Sequence, residues 1–198
     1  MSNMETSRLV QEILQYYAEF DKQALKQGLA FFEERTFKAR DMILEAGNTC
    51  DDLFFAESSI TRCFYVDEQG SEHTLWMKPE QTFITEYKSF VHQQPSMFSL
   101  QFYEDTTVYS IKRKDLMELY KQSNDWAMFG IHLTENVHIT LIDVFVNLLA
   151  NDATRNYQYI EYMFPRFIQV APLKDIASML QISPVSLSRI RAGSQTKY

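Results

Sequence analysis

The nine residues from Ser183 to Arg191 read Ser-Pro-Val-Ser-Leu-Ser-Arg-Ile-Arg, a short polar and cationic run with apolar residues at helical spacing. Ser183 suits a helix cap that accepts a backbone N–H bond, and Pro184 fits the first helical position. On that helix Leu187 and Ile190 face inward, which leaves Val185, Ser186, Ser188, Arg189 and Arg191 on the outer side. A guanidinium bonds O6 and N7 of guanine together, so Arg189 is the candidate for reading a base edge in double-stranded DNA. Ser183, Ser186, Lys174 and Arg191 suit phosphate oxygens. The competing reading is an ordinary helical hairpin whose arginines are solvated.

Other chemistries find no matching pattern. There is no GxSxG, HExxH, Walker loop or GxGxxG, and His132 and His138 stand six apart, off the i, i+4 spacing of a helical metal pair. His73 and His92 occur singly. Cys50 and Cys63 are thirteen apart, too few for a four-thiolate cluster or structural zinc site, and read as reduced thiols. The expectation is a protein that is not an enzyme and carries no cofactor or metal.

The elements that must hold Arg189 in place begin at Pro172, which suits the first turn of a helix whose inner face is Leu173, Ile176, Ala177 and Leu180. Ala177 is small enough for two helices to cross closely, and Gln181 and Ile182 make a tight connection to the second helix. The charge changes sign around this unit. Residues 1–150 hold 13 Lys and Arg against 23 Asp and Glu, whereas residues 151–198 hold 6 against 3. Local cations rather than net charge neutralise phosphates, so the C-terminal segment is where a nucleic-acid contact belongs.

Further upstream, apolar residues recur at helical intervals from about Thr6 to Gln27, with Gly28 as the expected stop. Short β-branched or aromatic runs follow at Phe37 to Leu44, Asp52 to Ala56, Ile60 to Val66, Glu72 to Met77, Ser99 to Tyr103 and Thr107 to Lys112, the spacing of an antiparallel sheet folded on itself. The clearest hairpin turns at Asp67-Glu68-Gln69-Gly70. A short helix is expected from Arg113 to Tyr120 and a long one from Asn124 to Ala150. In the long helix Trp126, Gly130, Leu133, Val137, Thr140, Val144 and Asn147 form a heptad-like seam, read either as the contact with a second copy or as part of a buried core. Asn151 or Asp152 caps a helix to about Met163, which Pro165 ends. The fold class is α+β, with a β-roll domain over residues 1–123, a dimerisation helix over 124–150 and an all-α helix-turn-helix domain over 151–198.

Length and composition agree with this division. The 198 residues, 45% apolar and 23% charged, suffice for a packed core, and no run reaches the 18 consecutive apolar residues of a membrane helix. With no hydrophobic run at Met1 to Arg8, a cytoplasmic protein without membrane contact is expected. Only five glycines accompany 15 Phe and 11 Tyr, so a roll with many corners must turn most of them on other residues.

The order of β domain, long helix and helix-turn-helix resembles the Crp/Fnr family of bacterial transcription regulators. The resemblance is carried by Ile176-Ala177 through Ser183 to Arg191, and by Asp52 to Cys63 with the hairpin at Gly70. It implies a homodimer joined along the long helix, a palindromic operator, RNA polymerase as a partner and a small-molecule effector of unknown identity. Two motifs depart from the family. Where nucleotide-binding members carry Gly-Glu and then Arg-Ser or Arg-Thr, this chain has Thr85-Glu86 followed by Ser96, Met97 and Phe98, without the cation that a cyclic phosphate needs. The stretch Lys78 to Glu86 contains no glycine. Cyclic AMP and cyclic GMP are therefore not expected as effectors, and Phe90, Phe98 and Phe102 are candidates to fill the pocket. Val185 replaces a glutamate of the cyclic-AMP receptors and suits a thymine methyl. Seven residues follow Arg191, too few for the family's β-wing. The alternative function is a ligand-sensing or protein-interaction module with degenerate DNA binding.

Overall fold

The computed structural model describes the backbone of residues 2–195 and the side chains of residues 8–193. Among the described residues eight strands form two antiparallel four-stranded sheets packed into a roll: β1 (Glu33–Phe37), β2 (Met42–Leu44), β3 (Asp52–Ala56), β4 (Thr61–Val66), β5 (Glu72–Lys78), β6 (Thr82–Ile84), β7 (Ser99–Phe102) and β8 (Thr106–Lys112). The sheet orders are β1-β8-β3-β6 and β2-β7-β4-β5. Helices α1 (Ser2–Tyr17) and α2 (Lys22–Leu29) precede the roll and α3 (Tyr87–His92) interrupts it. After it come α4 (Arg113–Gln122), α5 (Asn124–Ala150), α6 (Ala153–Met163), α7 (Pro165–Val170), α8 (Leu173–Met179) and α9 (Pro184–Gln195).

The β4–β5 hairpin turns where the sequence indicates. Gly70 adopts φ +82°, and the Asp67 carboxylate accepts bonds from the Gln69 and Ser71 amides. The scarcity of glycine is met by other residues in the left-handed region: Arg40, Gln81, Gln93 and Gln181 all have positive φ. Each of their amides finds an acceptor. Gln81 donates to the Ala56 carbonyl, Arg40 to that of Phe102, Gln93 to Ser89 and Gln181 to Ser178. Such corners cost more than glycine would, and paired backbone groups offset the strain.

Several expected elements are corrected. The N-terminal helix is two helices, because Asp21 turns its carboxylate onto the Gln23 and Ala24 amides and starts α2 afresh. Gly28 lies inside α2 rather than ending it; a Cβ there would overlap the Trp126 ring. The run Phe37 to Leu44 divides between the end of β1 and β2, parted by the turn at Arg40. Pro165 opens α7 instead of only closing α6, since its fixed φ suits a first helical position.

The core has two parts. One joins the roll to α1, α2, α4 and the start of α5, around Leu14, Phe55, Phe102, Ile111, Trp126 and Phe129. The other packs Ile60, Met77 and Tyr103 of the roll against Tyr157, Phe167, Ile176, Ala177 and Leu187 of α6 to α9. Cys50 and Cys63 are free and buried, and burial pushes the Cys63 thiol up to about 12.

On α5 the first half of the seam follows the second of its two readings, part of the buried core. Trp126 and Leu133 are buried in the chain's own core and Val137 packs on it. The exposed apolar stripe is instead Ile131, Ile139, Leu141, Ile142, Phe145, Val146 and Leu149. Both stripes fit the helical period, so spacing alone could not tell them apart. By length and composition α5 could also cross a membrane. Its Trp126, Phe129 and Leu133, however, are fixed in the folded core.

Candidate nucleic-acid interface

Helices α8 and α9 make the expected pair. Ile176, Ala177 and Leu187 are fully buried between them, and the Ile182 amide bonds the Ala177 carbonyl across the turn. Gln181, with φ +56°, reverses the chain. Ser183 accepts a bond from the Ser186 amide at 3.1 Å, the capping role its position indicates. Pro172 stands one place before the first turn of α8, as its cap residue.

This arrangement exposes Val185, Ser186, Ser188 and Arg189 on the outer face of α9, with Val185 61% exposed. Two residues fall elsewhere than the sequence indicates. Arg191 is half-buried and turned back, its guanidinium 3.4 Å from the Ile168 carbonyl and beside Tyr157. Lys174 faces the β-roll, with its ammonium 3.7 Å from the Glu72 carboxylate. Arg166 on α7 is engaged in the same way, at 2.8 Å from both Glu80 and Glu104.

A buried polar network lies beneath Lys174. Arg62, the second residue of β4, is buried and donates to Thr74 and Glu72, while its second terminal nitrogen stands 3.2 Å from the Asp175 carboxylate on α8. The other oxygen of Asp175 accepts the Tyr103 hydroxyl at 2.9 Å. The guanidinium lies 4.3 Å from the Phe64 ring centre. The hydrogen bond from Arg62 holds the Glu72 carboxyl below its ordinary range, and burial raises the Tyr103 phenol. The only hint in the sequence is a cation inside a strand otherwise made of residues that bury.

The pocket residues are also placed. Glu86 is buried and caps α3: its two oxygens accept the Lys88 and Ser89 amides at 3.1 and 2.9 Å. Ser96 is buried, donating to the Phe98 carbonyl and accepting the Phe98 amide. Met97 is 70% exposed, Phe98 packs on the core, and Phe90 and Phe102 are buried in it. A concavity of about 600 Å³ lies on another face, between α4 and α5, lined by Tyr120, Ala127, Gly130, Ile131, Thr134 and His138 among others. Among the described residues, no cluster of three or more His, Cys, Asp or Glu is placed to hold a metal ion. The expected lack of a β-wing concerns the residues after Arg191, of which α9 takes those to Gln195 and the rest lie outside the described residues.

Residues 34–123 match the family model described as Cyclic nucleotide-binding domain. No curated protein matches the chain. Among solved structures it is similar to the Catabolite Activator Protein of Thermus thermophilus, with 18% identity, 93% of this chain and 87% of that one covered and a TM-score of 0.55. It is also similar to FixK2 of Bradyrhizobium japonicum, at 14% identity, coverages of 84% and 85% and a TM-score of 0.67. A third is CLP of Xanthomonas campestris, described as a c-di-GMP responsive global regulator, at 15% identity, coverages of 89% and 92% and a TM-score of 0.65. The chain has the fold of the Crp/Fnr regulators, with a cyclic-nucleotide-binding-type β-roll over residues 34–123.

Proposed function

We propose that this protein is a cytoplasmic DNA-binding transcription regulator of the Crp/Fnr type, not an enzyme. Its parts are a sensor roll over residues 1–123, a dimerisation helix over 124–150 and a DNA-binding domain over 151–198. The observation that carries this reading is α9: a capped helix, held by Leu187 on one side and exposing Val185, Ser186, Ser188 and Arg189 on the other. Those are the positions a recognition helix offers to the major groove. Arg189 reads a base, Ser183 and Ser186 meet the backbone, and Lys174 and Arg191 reach phosphates once turned outward.

The apolar stripe from Ile131 to Leu149 supports a homodimer on α5, which would place two recognition helices on a palindromic operator. RNA polymerase is the further partner. Control by cyclic AMP or cyclic GMP is not part of the reading, because Glu86 caps its own helix and Ser96 bonds Phe98; any effector is of another kind.

Selection from a randomised duplex pool tests the reading. Enrichment of a palindrome with half-sites about one helical turn apart, lost in Arg189→Ala, supports it. Enrichment of no sequence at low salt overturns it. It would leave the second reading, a sensing or protein-interaction module, which the engagement of Lys174 and Arg166 by roll carboxylates favours.

A further inference from the structure

The joint between the roll and the helix pair is polar at its centre. Arg62 and Asp175 each have only 2% of their side chain exposed, and around them Glu72, Thr74 and Tyr103 complete a network that spans β4, β5, α8 and the segment after β7. The Thr74 amide adds a bond to the Ser178 hydroxyl of α8 at 2.9 Å. At the rim, Lys174 meets Glu72, and Arg166 meets Glu80 and Glu104. Thus two of the basic residues of the helical domain are neutralised by carboxylates of the roll, and α8 lies against the acidic part of the chain.

We propose that this network is a latch that holds the helix pair in a state of weak affinity for DNA, and that opening it frees Lys174 for a phosphate. The proposal rests on the DNA-binding reading above. Docked, Lys174 is 66% exposed but has its ammonium 3.7 Å from Glu72, so a phosphate must compete with that carboxylate, and the neighbouring Glu72, Glu80 and Glu104 repel the duplex. Three features make the joint able to open. A buried ion pair is balanced between desolvation and attraction, so removing one charge tips it. Interfaces between domains, when polar, permit relative motion by default. The chain also leaves the helical register at Asn151 and Asp152, between α5 and α6, where side-chain bonds from Asn151 and Asn156 to the Asn147 and Leu148 carbonyls, and Leu148 packed on the second core, tie the two helices across the break.

The test uses the full chain with Asp175→Asn and Tyr103→Phe. Two quantities are read: hydrogen exchange of the Thr74 amide, which reports the joint without DNA, and anisotropy of a fluorescent duplex selected by the parent protein, titrated over a salt series. In Asp175→Asn, Thr74 exchange should accelerate and affinity should rise about fivefold or more, the usual scale of coupling between sites. The slope of log affinity against log salt should steepen by about 0.9 for one added phosphate contact. Adding Lys174→Ala should remove that increment. Tyr103→Phe keeps both charges and should move both readouts the same way by less, which covers the case of Asp175→Asn failing to fold. Faster Thr74 exchange with unchanged or weaker affinity overturns the latch, as does unchanged exchange in both variants. If exchange accelerates but neither parent nor variants bind any duplex, the DNA-binding reading is what falls.

Discussion

Glu86 and Asp175 are both buried carboxylates, and they are satisfied in opposite ways. Glu86 bonds backbone amides two and three residues further on, closing a loop within its own helix start. Asp175 bonds Tyr103 and pairs with Arg62, residues of the roll 72 and 113 positions away in sequence. A local cap forms whenever its helix forms and reports nothing about the rest of the molecule. A carboxylate on α8 satisfied by residues of the roll is satisfied only while α8 and the roll keep their relation. The first therefore spends its charge within its own helix start, and the second ties the fate of the helix pair to the roll.

Arg62→Met should break this contrast most strongly. It leaves Asp175 buried without its cation, and one-sided loss of a buried pair costs about 3–5 kcal/mol. The thermal midpoint should fall accordingly. The double variant Arg62→Met with Asp175→Leu should recover most of that stability, because apolar replacement of both partners is often neutral. If the double variant melts as low as the single one, the network supports the fold in some way other than by pairing.

Glu86→Ala removes a cap and should cost about 1–2 kcal/mol, less than the loss at Arg62. Its effect should stay local. Amide exchange at Lys88 and Ser89 should accelerate while that of Thr74 does not change, and a change at Thr74 would show that the two carboxylates are coupled after all.

What the sequence discloses follows the same division between local and distant. The hairpin at Gly70, strand β3, the bounds of α5 and the cap at Ser183 were all legible, because period and turn chemistry are written in neighbouring residues. The strand Glu33–Phe37 was mostly missed: four of its five residues are exposed, so it carries no alternation to read. Helix α3 has six residues, too short for a period. The inward role of Gly28 depends on a tryptophan 98 positions later, and the Arg62–Asp175 pair spans a longer gap still. The face that α5 turns to the core depends on α1 and α2, which its own heptads do not mention.

A smaller effect concerns acid. The Arg62 hydrogen bond holds the Glu72 carboxyl below its ordinary range, so Glu72 binds a proton more readily in the unfolded chain; Lys174 of α8 adds to the lowering from across the joint, so undocking acts in the same direction through Lys174 alone. Its contribution to the joint is complete above the usual glutamate range and is lost as pH falls through the lowered value. Thr74 exchange, corrected for its intrinsic pH dependence, should therefore lose protection on acidification. Glu72→Gln should flatten that dependence, and an unaltered profile in the variant would assign the acid response to other carboxylates.

The smallest expected effect is the response to cyclic AMP. A cyclic phosphate needs backbone donors and a cation, and the donors at the start of α3 are already bonded to the two oxygens of Glu86. The Ser96 hydroxyl donates to the Phe98 carbonyl, and Met97 and Phe98 bring no charge. Binding would have to displace an internal carboxylate that is covalently attached and so acts at high effective concentration. A ligand present at about a thousand times its Kd adds roughly 4 kcal/mol to stability. For a domain of this size that is several degrees in Tm, easily read in a melt. Cyclic AMP at millimolar concentration should leave Tm unchanged. A shift of several degrees would mean micromolar affinity, and with it a Glu86 that leaves its cap to admit the nucleotide. Glu86→Ala, with the cap already vacant, should then bind more tightly than the parent, unless the carboxylate itself meets the ribose hydroxyl, in which case it should bind less tightly.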